Sequence, residues 1–217
     1  MRDVKRYLLV IFCFIMIGFG CALTLKAAVG VGAWDALGQT CYDLLGIKAG
    51  TVSMILNCSC VLVQIIILKK DFRPVQLLQI PCSIIFGYVT NFVLYDLLSA
   101  ITINSYMLNV LLFVFGICWN AFFVSTIMCI DAVTTALEGA CAAMTKVIHF
   151  QFSVIRQAVD VISICIILAI VFIFQIPSSI REGTVIATVI FGPMLGIFMK
   201  YIQPVINRLD LHNFHQD

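Results

Sequence analysis

The sequence predicts an all-α membrane protein with six transmembrane helices and two short re-entrant or interfacial helices, built from two inverted-topology repeats. Three observations lead to this fold class. The chain is 62% hydrophobic and 11% charged, whereas a soluble domain carries about 25% charged residues. Six apolar runs have the length, roughly 20 residues, that crosses a bilayer as a helix. One order of long and short segments also occurs twice along the 217 residues.

The apolar runs define the spans. They are Tyr7–Leu25, Thr51–Leu68, Val75–Leu98, Met107–Ile130, Phe152–Phe174 and Thr184–Val205. Pro81 and Pro193 lie inside the third and sixth runs, and membrane helices tolerate proline where neighbouring groups satisfy the freed carbonyl. Two further segments, Val29–Ile47 and Asp131–Val147, are too short and too polar for ordinary spans, and both contain carboxylates.

Basic residues in alternate connections predict the orientation. They are Arg2, Lys5, Arg6, Lys69, Lys70, Arg73, Lys146, Lys200 and Arg208. The positive-inside rule places these connections, and therefore both termini, in the cytoplasm. This assignment holds only if neither short segment crosses the membrane. We therefore expect Val29–Ile47 on the outer side and Asp131–Val147 on the cytoplasmic side.

The two halves of the chain resemble each other weakly. Residues 1–217 are predicted to form one membrane domain, with repeat one at 1–100 and repeat two at 101–217. The supporting matches are Ala36-Leu37 with Ala136-Leu137, Cys41 with Cys141, Ser53 with Ser153, Ile55 with Ile155 and Phe86-Gly87 with Phe191-Gly192. Three spans per repeat is an odd number, so the halves must be inverted. Transporters with such repeats bind ligands near the midplane between them; the alternative is a duplication retained only for packing.

Ionisable residues inside spans usually face a cavity or a partner. Arg156 and Asp160 are four residues apart in the fifth span, so they share one helix face. Gln157 is adjacent, and the 100-residue offset aligns it with Asn57 in repeat one. The arginine fork suits a carboxylate or phosphate on a substrate. Alternatively, Arg156 and Asp160 only neutralise each other, and Asn57 only forms an interhelical hydrogen bond, as weaker candidates such as Asn120 would.

The short segments carry acids near predicted helix starts. Asp131 and Glu138 flank the start of the second segment, with Thr135 between them, and Asp35 follows Trp34 in the first. Acids there complement the helix dipole, and threonine can cap a helix. In the alternative interpretation, one acid reaches the cavity and pairs with Arg156.

The run GFGCALTLKAAVGVGAWDALGQTCYDLLGIKAGTVSMI, residues 18–55, resembles the YczE-like bacterial membrane proteins, relatives of the YitT group. Gly30, Gly32, Trp34 and Asp35 match that family's glycine-rich turn, and Gly50-Thr51-Val52 matches the start of its next helix. In repeat two, Thr135 stands where the family tends to have aspartate. The resemblance implies a protein of the bacterial cytoplasmic membrane with a transport-related role.

The leading functional prediction is a transporter or permease for a small polar or anionic metabolite. The alternatives are a substrate-capturing subunit with an energising partner, and a non-transporting scaffold, regulator or assembly factor. Enzyme motifs such as HExxH and GxSxG do not occur, so we expect no enzyme, cofactor or metal. The expected partners are the lipid bilayer, a small substrate and a second copy or subunit, but no nucleic acid. The predicted binding residues are Arg156, Asp160, Gln157, Asn57, Asp35, Trp34, Glu138, Asp131 and Thr135.

Overall fold

The computed structural model describes residues 2–209, with side chains from residue 4 onward, and contains no strand in that range. Its helices are α1 Arg2–Ala27, α2 Ala33–Leu45, α3 Ala49–Leu68, α4 Gln79–Asn91, α5 Tyr106–Ile130, α6 Ala136–Ile148, α7 Phe152–Phe174 and α8 Glu182–Arg208. The side chain of Arg2 and residues 210–217, the end of the predicted repeat two, lie outside the described residues.

Six helical stretches are long and apolar enough to cross a membrane. They are Val4–Ala27, Ala49–Asp71, Pro74–Leu97, Tyr106–Ile130, Phe152–Phe174 and Glu182–Arg208. The third stretch combines a short 3-10 turn, α4 and a final π-helical turn over Phe92–Leu97. These stretches coincide with the six predicted spans, which confirms the predicted fold class.

Helices α2 and α6 correspond to the two short polar segments. Each has 13 residues, which gives a length of about 20 Å at 1.5 Å per residue. A bilayer core is about 30 Å thick, so neither helix is long enough to cross it. The sequences explain their ends: α2 stops at Gly46 with a positive φ of 70°, and α6 stops at His149 with a φ of 60°.

The long helices pack through small residues. Gly116 of α5 lies against Thr24 of α1, where an added Cβ would come within 2.6 Å of the threonine methyl group. Gly50 and Gly87 face each other across α3 and α4, and a Cβ on either one would clash with the other's carbonyl oxygen. Small residues at such contacts let membrane helices approach closely. Helices α7 and α8, in contrast, contact each other at only a few residues.

The segment before each short helix docks on the opposite half of the chain. The Gly183 N–H, at the start of α8, donates to the Val29 carbonyl at 3.2 Å, and the Val31 N–H donates to Thr184 Oγ1 at 3.3 Å. Before α6, Thr134 Oγ1 accepts a bond from Gln79 Nε2 of α4 at 3.1 Å. Such reciprocal contacts are expected when two inverted repeats pack against each other.

Candidate functional site

A cavity of about 120 Å³ lies where the N-terminal ends of α2 and α6 meet the long helices. Phe14 and Ile17, from the middle of α1, line the same cavity as Asp35 and Glu138 from the short helices. The short helices therefore reach the centre of the bundle, as re-entrant helices do, rather than lying along its surface.

Arg156 holds the charged centre of this cavity. Its Nε lies 3.4 Å from Glu138 Oε1 on α6, and its Nη1 donates to Asp160 Oδ1 one turn further along α7. The three side chains are only 8–14% exposed. A buried charge without a partner is costly, by about 3–5 kcal/mol when one member of a pair is removed. Arg156 therefore stabilises the burial of both carboxylates and ties α6 to α7.

Glu138 is positioned by the start of α6. Thr135 is the N-cap residue of this helix, and Glu138 stands at its third position. The Thr135 hydroxyl donates to Glu138 Oε2, which leaves Oε1 to face Arg156. A carboxylate in the first turn also complements the positive end of the helix dipole.

Asp35 has the same place on α2. Gly32 is the N-cap residue, and Asp35 stands at the third helical position, as Glu138 does on α6. Cys21 of α1 lines the same cavity. Within the part of the chain that the structure describes, no basic side chain forms an ion pair with Asp35. Asp35 therefore faces the cavity without an ion pair of its own, although the charge of Arg156 reaches it across the cavity.

Corresponding helix boundaries in the two halves are 103 residues apart. Helices α1 and α5 end at 27 and 130, α2 and α6 begin at 33 and 136, and α3 and α7 begin at 49 and 152. Cavity residues pair at this offset: Phe14 with Ile117, Ile17 with Asn120, Cys21 with Val124, Gly32 with Thr135, Ala33 with Ala136, Trp34 with Leu137, Asp35 with Glu138 and Asn57 with Asp160. Both halves thus contribute corresponding positions to one cavity.

Comparison with known proteins gives a family. The model of a family described as "Family of unknown function (DUF6198)" matches residues 4–200. The chain belongs to this family. No curated protein and no solved structure matches it significantly.

Most predicted binding residues of this DUF6198 protein meet in the cavity. They are Trp34, Asp35, Asn57, Thr135, Glu138, Arg156 and Asp160. Gln157 and Asp131 do not line it, and both are exposed. Gln157 lies one residue beyond Arg156, about 100° around the helix, so it points away from the cavity. Asp131 ends α5 in the left-handed conformation, with φ 49°, as a structural cap.

The predicted alignment of Asn57 with Gln157 between the repeats is displaced by three residues. The helix boundaries pair Asn57 with Asp160, and both residues line the cavity. Asn57 Oδ1 accepts a bond of 3.3 Å from the Trp34 indole N–H. Asn57 thus makes the interhelical contact that sequence reasoning considered, and it fixes the orientation of the Trp34 ring at the cavity wall.

Several cavity residues were not predicted from the sequence. Thr24, Thr188 and the aromatic residues Phe86 and Phe191 line it, as does the weaker candidate Asn120. The repeat supplied one signal, because the Phe-Gly pair at Phe86-Gly87 occurs again at Phe191-Gly192, at an offset of 105 residues. The threonines gave none, since a hydroxyl inside a span commonly bonds to its own helix, as Thr188 does to the Thr184 carbonyl at 2.8 Å.

A network of polar contacts lies beside the N-terminal end of α6, on the predicted cytoplasmic side. Gln64 Nε2 donates to Gln79 Oε1 at 2.8 Å and to the Ala136 carbonyl at 3.0 Å. Gln79 Nε2 also reaches Gln76 and Thr134. This network joins the end of α3 and the start of α4 to the N-terminal end of α6.

A wide vestibule lies on the predicted outer side. Its volume is about 830 Å³, and Lys26, Gly30, Val31, Asp43 and Arg181 contribute to its wall. Gly30 and Val31 line the vestibule, whereas the next residue along the chain lines the central cavity. The segment before α2 therefore borders both spaces.

Proposed function

We propose that this protein is a transporter that carries a small polar molecule through the cavity between its two repeats. One observation carries the proposal: the N-terminal ends of two interrupted, re-entrant helices meet at a cavity to which both halves contribute corresponding residues. Transporters with inverted repeats bind their ligands at such a place, because broken helices present unpaired backbone groups there.

Asp35 favours transport over a purely structural role. A scaffold or assembly factor needs its charges only to be paired within the bundle, as Arg156 is with its two acids. A carboxylate that faces a cavity without a cationic partner costs stability. A substrate that visits the cavity gives this carboxylate a role that a static scaffold does not.

Thiol labelling of Cys21 tests the proposal, because this residue lines the cavity. The chain has 10 cysteines, so the protein would keep Cys21 alone and be reconstituted in vesicles. We expect a small charged methanethiosulfonate reagent to modify Cys21 from either side of the membrane. A variant that keeps only Cys13 serves as the control, since Cys13 and Cys21 are both 1% exposed on the same helix but only Cys21 lines the cavity. Labelling of Cys21 from one side only, or at the rate of Cys13, would contradict transport.

A further inference from the structure

The charges of the central cavity are unbalanced. Asp35, Glu138 and Asp160 line it with a single basic residue, Arg156, so the four groups carry a formal charge of −2 when all are ionised. Arg156 pairs with Glu138 and Asp160. Its guanidinium is therefore already engaged by carboxylates, which leaves it poorly placed to bind an anionic substrate.

The helix dipoles do not change this conclusion. The positive ends of α2 and α6 point toward the cavity, but each already holds an acid in its first turn. Such an end carries only about half an elementary charge. Glu138 occupies this position and also forms an ion pair with Arg156, which it shares with Asp160. By comparison, Asp35 forms no ion pair and only receives the charge of Arg156 across the cavity.

The internal repeat shows which group is missing. At the 103-residue offset, the counterpart of Arg156 on α3 is Ser53, a small buried residue without charge. Repeat two thus supplies its own guanidinium to its short-helix acid, whereas repeat one supplies none. The space beside Asp35 is part of the cavity. We infer that the cavity binds a small organic cation of the guanidinium or ammonium class, whose charged group lies beside Asp35.

The cavity wall suits an organic cation. Trp34, Phe14, Phe86 and Phe191 contribute aromatic rings to it, and cations are attracted to the faces of such rings, most strongly to tryptophan. The volume of about 120 Å³ is somewhat below that of an engineered apolar cavity of about 150 Å³ that takes benzene. The ligand, or the part of it that enters, therefore has few non-hydrogen atoms.

A metal ion fits this cavity less well. Within the described residues, no group of three or more histidine, cysteine, aspartate or glutamate side chains is placed to hold one. The inference rests on the proposed transport function, because it names the substrate class of that same site. It also replaces the anionic cargo that the arginine alone suggested from the sequence.

Binding to the purified protein tests the inference. The probes are methylguanidinium, tetramethylammonium and acetate, added at constant ionic strength, with tryptophan fluorescence and thermal stability as readouts. We expect at least one cation to bind saturably and acetate not to bind. In Asp35→Asn, cation affinity should fall by about tenfold or more, the scale of a charge-assisted contact. Asp71→Asn, which removes an exposed acid that lines neither the cavity nor the vestibule, should bind like the unmodified protein.

Each contrary result has a distinct meaning. Binding of acetate in preference to the cations, binding of neither cation, or unchanged cation affinity in a folded Asp35→Asn would overturn the inference. If Asp35→Asn does not fold, the cation-to-acetate selectivity of the unmodified protein still decides it. Cys21 labelling from both sides together with acetate binding would retain transport and reject the cation. Cation binding with one-sided labelling would retain the cation and reject transport.

Discussion

Asp35 and Glu138 occupy the same third position on two 13-residue helices and line one cavity, yet only Glu138 forms an ion pair. The difference lies in one residue of the following helix, Ser53 in repeat one and Arg156 in repeat two. The halves therefore share a backbone arrangement and differ in charge. A duplicated framework of this kind can hold one part of the site rigid while the other part receives a ligand.

The first prediction concerns Arg156. Its replacement by methionine leaves Glu138 and Asp160 buried without their shared cation. We expect a loss of about 3–5 kcal/mol in the free energy of unfolding, measured by detergent-induced unfolding. The exposed Lys146→Met on α6 is the matched control, and it should change stability by less than about 1 kcal/mol.

A triple variant separates charge from packing. Arg156→Met combined with Glu138→Gln and Asp160→Asn removes all three charges of the ion pairs while keeping side chains of similar volume. We expect it to recover most of the stability that Arg156→Met loses. If the triple variant is as unstable as the single one, the ion pairs do not stabilise this part of the bundle.

The second prediction compares two glycines with positive φ. Gly30 has φ 155° and lies against Gly183 and Thr184, whereas Gly46 has φ 70° with no other atom within 4 Å of an added Cβ. Gly46→Ala should cost about 1–2 kcal/mol, because only the backbone conformation is unfavourable. Gly30→Ala should cost clearly more, since the methyl group also collides with the start of α8. Equal melting temperatures for the two variants would show that the segment before α2 moves aside without cost.

Much of this arrangement could be predicted from composition and charge. The span count and the two short segments depend on hydrophobic length and loop charge, which act locally along the sequence. The pairing of repeats could not be predicted to the residue. The match of Ala36-Leu37 with Ala136-Leu137 suggested an offset of 100, but helix boundaries set it at 103.

That difference of three residues explains the errors at the site. With an offset of 100, Asp35 aligns with Thr135 and Asn57 with Gln157; with 103, they align with Glu138 and Asp160. Where a helix begins depends on how the preceding turn docks on a distant helix, here α8 and α4. Few identities remain between the halves, so the sequence alone carries no record of that docking.

The third prediction concerns orientation. The positive-inside rule places Lys26 outside and Lys70 inside the cell. Lys26 lines the wide vestibule, and Lys70 is exposed after α3. Single-cysteine variants at these positions, in a chain without other cysteines, should react with a membrane-impermeant maleimide on intact cells only at position 26. Position 70 should react only after permeabilisation. The reverse pattern would show that the protein has the opposite orientation in the membrane.

The fourth prediction supplies the missing charge within the chain. Ser53→Arg places a guanidinium at the position in repeat one that corresponds to Arg156. If the space beside Asp35 accepts a cation, the new side chain should occupy it and compete with methylguanidinium, which would then bind at least about tenfold more weakly. Ser59→Arg, at an exposed position of the same helix, is the control for the buried Ser53 and should leave cation binding unchanged.

Stability then distinguishes occupation of the site from simple blockage. An arginine that pairs with Asp35 should be tolerated when this acid is present and should destabilise the protein when Asp35 is asparagine, because a buried guanidinium would then lack its partner. The two substitutions should therefore be non-additive by about 0.5–3 kcal/mol, the range seen for groups in contact. Additive effects in the double variant would show that the arginine does not contact Asp35. They would contradict a cation site beside that residue.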